Sequence, residues 1–136
     1  MDILAYEYIL QGLKDFNESC GKPYKHEIVT YPTKDTKYPL TIFEEIRNVA
    51  NPRYNTCFER VASVGYRADI YAKSMGTKTD KRTIARECAE LVDKYLTDIG
   101  LTRISFNVSE LENDGSIYHI IMTYSGNLLE NRRKLI

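Results

Sequence analysis

The residues able to do covalent or metal chemistry in this 136-residue chain are three cysteines, two histidines and a scatter of carboxylates. Nucleophilic catalysis would need a cysteine held beside His26 or His119, with a third group orienting the base. Cys88 falls on the apolar stripe of a helical pattern, where cysteine acts as a small hydrophobe. His119 lies mid-strand among Ile117, Ile120 and Ile121, and no glycine elbow surrounds any serine. Cys20, Cys57 and Cys88 form no CxxC spacing and the histidines are isolated, so no local zinc ligand pair exists. Three reduced thiols in a cytoplasmic setting is the simpler reading. A metal-dependent nuclease would cluster carboxylates near a lysine. Glu44, Glu45, Asp69 and Lys73 are the best such set, but it lacks a carboxylate-x-lysine pair and reads equally as the charged solvent face of a sheet. No glycine-rich phosphate loop is present. Gly65 lies inside a strand pattern and marks a bulge or a close backbone approach; Gly76 belongs to a turn. The expectation is therefore no catalytic residue, no cofactor and no metal.

Composition narrows the class further. Hydrophobic residues make up 43 % and charged residues 28 %, within the range of ordinary globular domains, so one domain over 1–136 is expected. Nineteen basic residues balance nineteen acidic ones. A general nucleic-acid binder would carry a basic excess to meet phosphates, whereas a neutral surface suits a protein that assembles. Met1–Glu7 has no basic region leading into an apolar run, so no signal peptide is expected. No window reaches the roughly 18 apolar residues of a spanning helix, and no membrane partner is expected. Eleven tyrosines with no tryptophan is the strongest bias. Tyr24, Tyr31, Tyr38, Tyr54, Tyr71 and Tyr118 or Tyr124 fall outside the core stripes. Tyrosine suits surfaces that must be apolar and wet at once, as protein interfaces are. With its lysines, the 24–38 stretch also resembles a basic and aromatic nucleic-acid surface.

The elements that must position these residues follow from periodicity. A helix is expected over about 2–17, capped by Asp2, with Leu4, Tyr8, Leu13 and Phe16, and Ile9 and Leu10 alongside, as its inward face. The 24–38 segment reads as an exposed, strand-poor connection. A short strand over 38–45 and a loop over 48–56 follow. Ala62, Val64, Tyr66, Ala68, Ile70 and Ala72 alternate with Ser63, Arg67, Asp69, Tyr71 and Lys73, the mark of a half-buried antiparallel strand. Thr79 caps a second helix whose Ile84, Cys88, Leu91, Val92, Tyr95, Leu96 and Ile99 form one stripe. Gly100 ends it. Ile104, Phe106 and Val108 then alternate with polar residues, and Asn113-Asp114-Gly115 turns into a strand over 116–124. Residues 127–136 read as a polar, basic tail. The fold expected is α+β: an antiparallel four-stranded sheet with two helices on one face, in the order α-β-β-α-β-β.

Four stretches together resemble one family. Tyr38-Pro39-Leu40-Thr41-Ile42-Phe43-Glu44-Glu45 resembles the Tyr-Pro-Leu-x-x-Phe-x-Glu opening of small tail proteins of long-tailed bacteriophages. Val64-Gly65-Tyr66-Arg67-Ala68-Asp69-Ile70-Tyr71-Ala72-Lys73 resembles their second strand. The Gly100-Leu101-Thr102-Arg103 step and the strand from Ile117 through His119 to Gly126 continue in the same order. The resemblance covers about residues 36–128 and is to the siphophage tail terminator family, also called tail-completion or tail-to-head joining proteins. It implies a subunit without enzyme activity that forms a homo-hexameric ring on the head-proximal end of the tail tube. Such a ring stops tube polymerisation and joins the tail to the head's connector or stopper. DNA would pass through it without sequence-specific binding. The place of action is then the virion, after assembly in the host cytoplasm.

On this reading Tyr38, Glu44, Arg67, Asp69, Tyr71 and Lys73 are the expected subunit interface. Tyr31, Lys34, Arg53, Tyr54, Arg132 and Arg133 are the expected contacts with tube or connector. The 47–58 loop has no counterpart in the family pattern. The alternatives are another head–tail connector, neck or minor capsid protein, a small metal-dependent nuclease, or a nucleic-acid-binding module.

Overall fold

The computed structural model describes residues 5–19, 27–30, 39–50, 61–73, 80–110, 117–129 and 134–135. In chain order the elements are α1 (Ala5–Ser19), β1 (Glu27–Val29), β2 (Leu40–Ala50), β3 (Val61–Lys73), α2 (Lys81–Asp98), β4 (Thr102–Glu110), β5 (Ile117–Leu129) and β6 (Lys134–Leu135). The period-two segment is β3, and it is central: β2 pairs along one side and β5 along the other, both antiparallel. Its alternating apolar residues Ala62, Val64, Tyr66, Ala68, Ile70 and Ala72 are all fully buried beneath the helices.

The sheet corrects the expected antiparallel four-stranded arrangement in the order α-β-β-α-β-β. It is mixed, with the strand order β1-β2-β3-β5-β4. β1 pairs parallel to the start of β2, through Glu27↔Leu40 to Val29↔Ile42. Only three residues long, it is held by tertiary pairing and shows no alternation long enough to detect. β2 runs on through residues 48–50, which the sequence suggested as loop, because Asn48, Val49 and Ala50 pair with Val64, Ser63 and Ala62. The polar tail is also corrected. β5 extends to Leu129, and β6 pairs with its end through Leu128↔Leu135. Since β3 already occupies the other side of β5 at Leu128, β6 lies in the same lane as β4, beyond its first residue.

Both edge-side strands carry a bulge. One falls between Glu45 and Arg47 opposite Gly65, where a Cβ would lie 3.3 Å from both Ile46 and Arg47. Gly65 is thus a close backbone approach, as its position in the strand pattern suggested. The other falls between Arg103 and Ser105.

Of the α2 stripe read from the sequence, Ile84, Cys88, Leu91, Val92 and Leu96 are buried and Tyr95 and Ile99 are half-buried against the core. Asp80 stands at the N-cap with extended backbone and makes no side-chain capping bond. Its carboxylate still lies at the positive end of the helix dipole. Thr79 and Asp2, the expected caps, lie outside the described residues. The C-terminus closes as a Schellman motif: Leu101 N–H donates to Leu96 O and Gly100 N–H to Thr97 O, both at 3.1 Å. Gly100 has φ +112°, a region that strains side-chain-bearing residues.

α1 buries Ala5, Ile9 and Leu13, while Tyr8, expected inward, is exposed. Tyr6 fixes α1 to the sheet. Its ring stacks on Phe43 and Tyr66, and its hydroxyl donates to the Phe43 carbonyl. Burial, followed by the nearby Glu44 and Glu45 carboxylates, pushes that hydroxyl's pKa up to about 12. Where α1 crosses α2, Phe16 stacks on Tyr95 at 5.7 Å. A Cβ on Gly12 would lie 1.8 Å from the Tyr95 hydroxyl. Gly-to-Ala in a helix interior normally stabilises by about 1 kcal/mol. Here Gly12→Ala is expected to destabilise by about 1–3 kcal/mol, because Tyr95 must leave its stack. Denaturant midpoints check this: in a Tyr95→Ala background the same substitution should become neutral or stabilising.

Candidate functional site

Three features of the described residues have unusual chemistry or exposure: a polar cluster on the open face of the sheet, a groove beside β4, and the two sheet edges. The polar cluster contains four of the residues expected to form the interface. Arg67, Asp69, Tyr71 and Lys73 alternate with the core residues of β3 and so lie on the face away from the helices. Register places Asp69 between Ile42 of β2 and Ile121 of β5. The carboxylate is therefore walled by apolar side chains and is buried, which corrects its expected exposure.

Charge and hydrogen bonding compensate that burial. Arg67 Nε donates to Asp69 Oδ1 at 3.0 Å, a charge-assisted bond. The same pair, with Glu44 and Tyr71 nearby, pushes the Arg67 pKa up despite some desolvation. His119, directly across from Tyr71, stacks on its ring with centroids 4.1 Å apart. His119 Nε2 lies 3.4 Å from Asp69 Oδ1, within charge-attraction range but without an aligned hydrogen bond. Burial lowers the imidazole pKa, an effect that the Asp69 charge partly opposes and Arg67 reinforces.

These contacts fasten the middle of the sheet. Arg67 and Asp69 satisfy each other, and Tyr71 is covered on one side by His119. Glu44 sits opposite Arg67 and is exposed. Tyr38, Tyr31, Lys34, Arg53, Tyr54, Arg132 and Arg133 lie outside the described residues. The carboxylates weighed for a nuclease are not brought together. Glu44 pairs across from Arg67 on the open face, Glu45 across from Tyr66 on the helix face, and Asp69 is buried. Among the described residues no three His, Cys, Asp or Glu groups converge on a metal position. No described helix is long and apolar enough to cross a membrane.

The groove lies between α2 and β4 on the helix side. It has a volume of about 140 Å³ and is lined by Arg86, Glu90, Asp93, Arg103, Phe106 and Met122, with Ala89 at its base. Asp93 is already committed there: it accepts from the Tyr124 hydroxyl at 2.7 Å, and Arg103 Nη1 lies 3.5 Å away. Burial and that bond to Asp93 push the Tyr124 pKa upward. Tyr118 and Tyr124, suggested as surface residues, are both buried on the helix face.

The edges are where apolar surface is exposed. On β4, Ile104, Phe106 and Val108 are 64 %, 41 % and 45 % exposed. Phe106 and Val108 pair across from Met122 and Ile120, so they point to the helix side; α2 borders Phe106 across the groove, but among the described elements neither residue is fully covered. The sequence showed their alternation but not that their lane is incompletely covered. On the opposite edge, Ile46 and Val49 of β2 are both 55 % exposed.

No protein-family model matches the chain, and no curated protein matches it well enough to count as a relative.

The His119 environment makes stability depend on pH in one direction. The unfolded imidazole titrates near 6.5 and the folded one lower, so at acidic pH the unfolded state takes up the proton first. The stabilising contribution is complete above about pH 6.5 and is lost as pH falls towards the folded value. Thermal melts should show stability dropping below about pH 6.5, and His119→Gln should flatten that limb. An unchanged limb in the variant would place the acid sensitivity elsewhere.

Proposed function

We propose that this protein is a structural morphogenesis protein of a long-tailed phage. Its subunits form a ring that caps the head-proximal end of the tail tube, stops tube polymerisation and joins tail to head. The observation that carries this reading is the pair of sheet edges with exposed apolar residues, Ile104, Phe106 and Val108 on β4 and Ile46 and Val49 on β2. A long apolar edge strand is an association site unless something pairs with or covers it. Because the two edges differ, contact between them is heterologous, and heterologous contacts close into a ring where the rotation between neighbours closes. The tail-terminator resemblance of residues 36–128 and the zero net charge support the same reading. Partners on this reading are other copies of the chain, the tube protein and the head connector or stopper, with DNA passing through the ring. The stretches holding Tyr31, Lys34, Arg53, Tyr54, Arg132 and Arg133 are proposed to contact tube or connector.

The test is to add purified protein to growing tail tubes and measure tube length and end structure by electron microscopy. Capped ends and arrested growth are expected. Tubes that elongate unchanged at saturating protein would contradict the reading.

A further inference from the structure

We propose, resting on the ring reading above, that the subunit contact is a head-to-tail continuation of the sheet. β4 of one copy pairs antiparallel with residues 43–50 of β2 in the next. α1 of that next copy covers Phe106 and Val108 of the first.

Strand directions permit this without distortion. β2 and β3, β3 and β5, and β5 and β4 are antiparallel pairs, so β4 runs antiparallel to β2. A second copy displaced sideways and rotated about a ring axis then presents β2 to β4 in antiparallel register, with all helices on the same face of the sheet. β1 occupies only the 40–42 portion of β2 on that side, and no described strand pairs there with 43–50. β4 beyond its bulge, from Ser105 to Glu110, is regular and has no described strand on its outer side.

The helix layer has the matching repeat. Strands lie about 4.8 Å apart, so the repeating unit β2-β3-β5-β4 spans about 19 Å. Two packed helices at about 10 Å each span about 20 Å. Within one copy α1 lies against α2 and β2, while α2 lies over β3 and β5 and reaches the near side of the β4 lane without burying Phe106 and Val108. A head-to-tail neighbour therefore sets its α1 about 10 Å from α2, directly above the β4 lane. A two-fold pairing of β4 with β4 would instead separate the two α2 helices by about three strand spacings beyond their own strands. Phe106 would then stay uncovered.

α1 and β2 together carry Glu7, Asp15, Glu18, Glu44 and Glu45 against Lys14 and Arg47. The groove they would meet is lined by Arg86, Glu90, Asp93 and Arg103; Arg103 pairs with Asp93 and lies over the Phe106 ring, which leaves Arg86 facing the acidic neighbour with Glu90 beside it.

The experiment uses two full-length variants with complementary blocked edges. Phe106→Lys blocks β4 and leaves β2 intact; Ile46→Lys with Val49→Lys blocks β2 and leaves β4 intact. All three positions are exposed, and circular dichroism confirms folding; Ile104→Lys is the second β4 variant should Phe106→Lys fold poorly. Mass is read by size-exclusion chromatography with light scattering. Wild type is expected as a closed oligomer, each variant alone as a monomer, and an equimolar mixture as a dimer that grows no further. Three results would overturn the proposal: a wild type that is monomeric at every concentration, a β2-blocked variant that dimerises alone through β4, or a mixture that stays monomeric. None of these depends on tail tubes, so the tube-capping assay still decides the ring reading separately.

Discussion

The organising constraint is the mismatch between a five-lane sheet and a two-helix roof. β3 must lie in the middle, because its helix-side residues are buried without exception and its other face holds a buried carboxylate. Once β2 and β5 flank it, α1 packs over β2 and α2 over β3 and β5; α2 also reaches β4, yet Phe106 and Val108 stay partly exposed there. About 20 Å of helix cannot cover about 24 Å of sheet. The apolar residues of β4 are therefore exposed by geometry, although their sequence pattern is that of an ordinary half-buried strand.

The open face solves a different problem. With no described helix over it, the sheet places Asp69 between Ile42 and Ile121 and neutralises it with Arg67. Tyr71 and His119 close over the same region by stacking. The pair buries its carboxylate but leaves the arginine side chain 40 % exposed, so it adds little net stability and serves chiefly to keep Asp69 from being an unpaired buried charge. Across the strands, the Tyr71–His119 stack and the approach of His119 Nε2 to Asp69 Oδ1 join β3 to β5, on which the position of β4 depends.

Much of this was legible in the sequence. The alternation of β3, the stripe of α2, the terminating Gly100 and the close approach at Gly65 each rest on local chemistry that acts within a few residues. The parts that were not legible depend on distant partners. β1 and β6 are too short to carry a period and exist because β2 and β5 offer them edges. The burial of Asp69 follows from which strands flank β3, and sequence spacing does not encode strand order. The exposure of Phe106 and Val108 was hidden for the same reason, since a strand pattern does not say whether a helix lies above it. The interface residues expected on β3 sit on a central strand, whereas the exposed apolar residues are at the edges.

The central claim is that the β4 lane is covered by another copy of the chain. Amide hydrogen exchange followed by mass spectrometry at rising protein concentration tests it directly. Exchange in residues 105–110 and 43–50 should slow with concentration, while β3, already central, stays equally protected throughout. Exchange at both edges that does not change with concentration, in a sample known to be oligomeric, would contradict the account and move the contact away from the sheet.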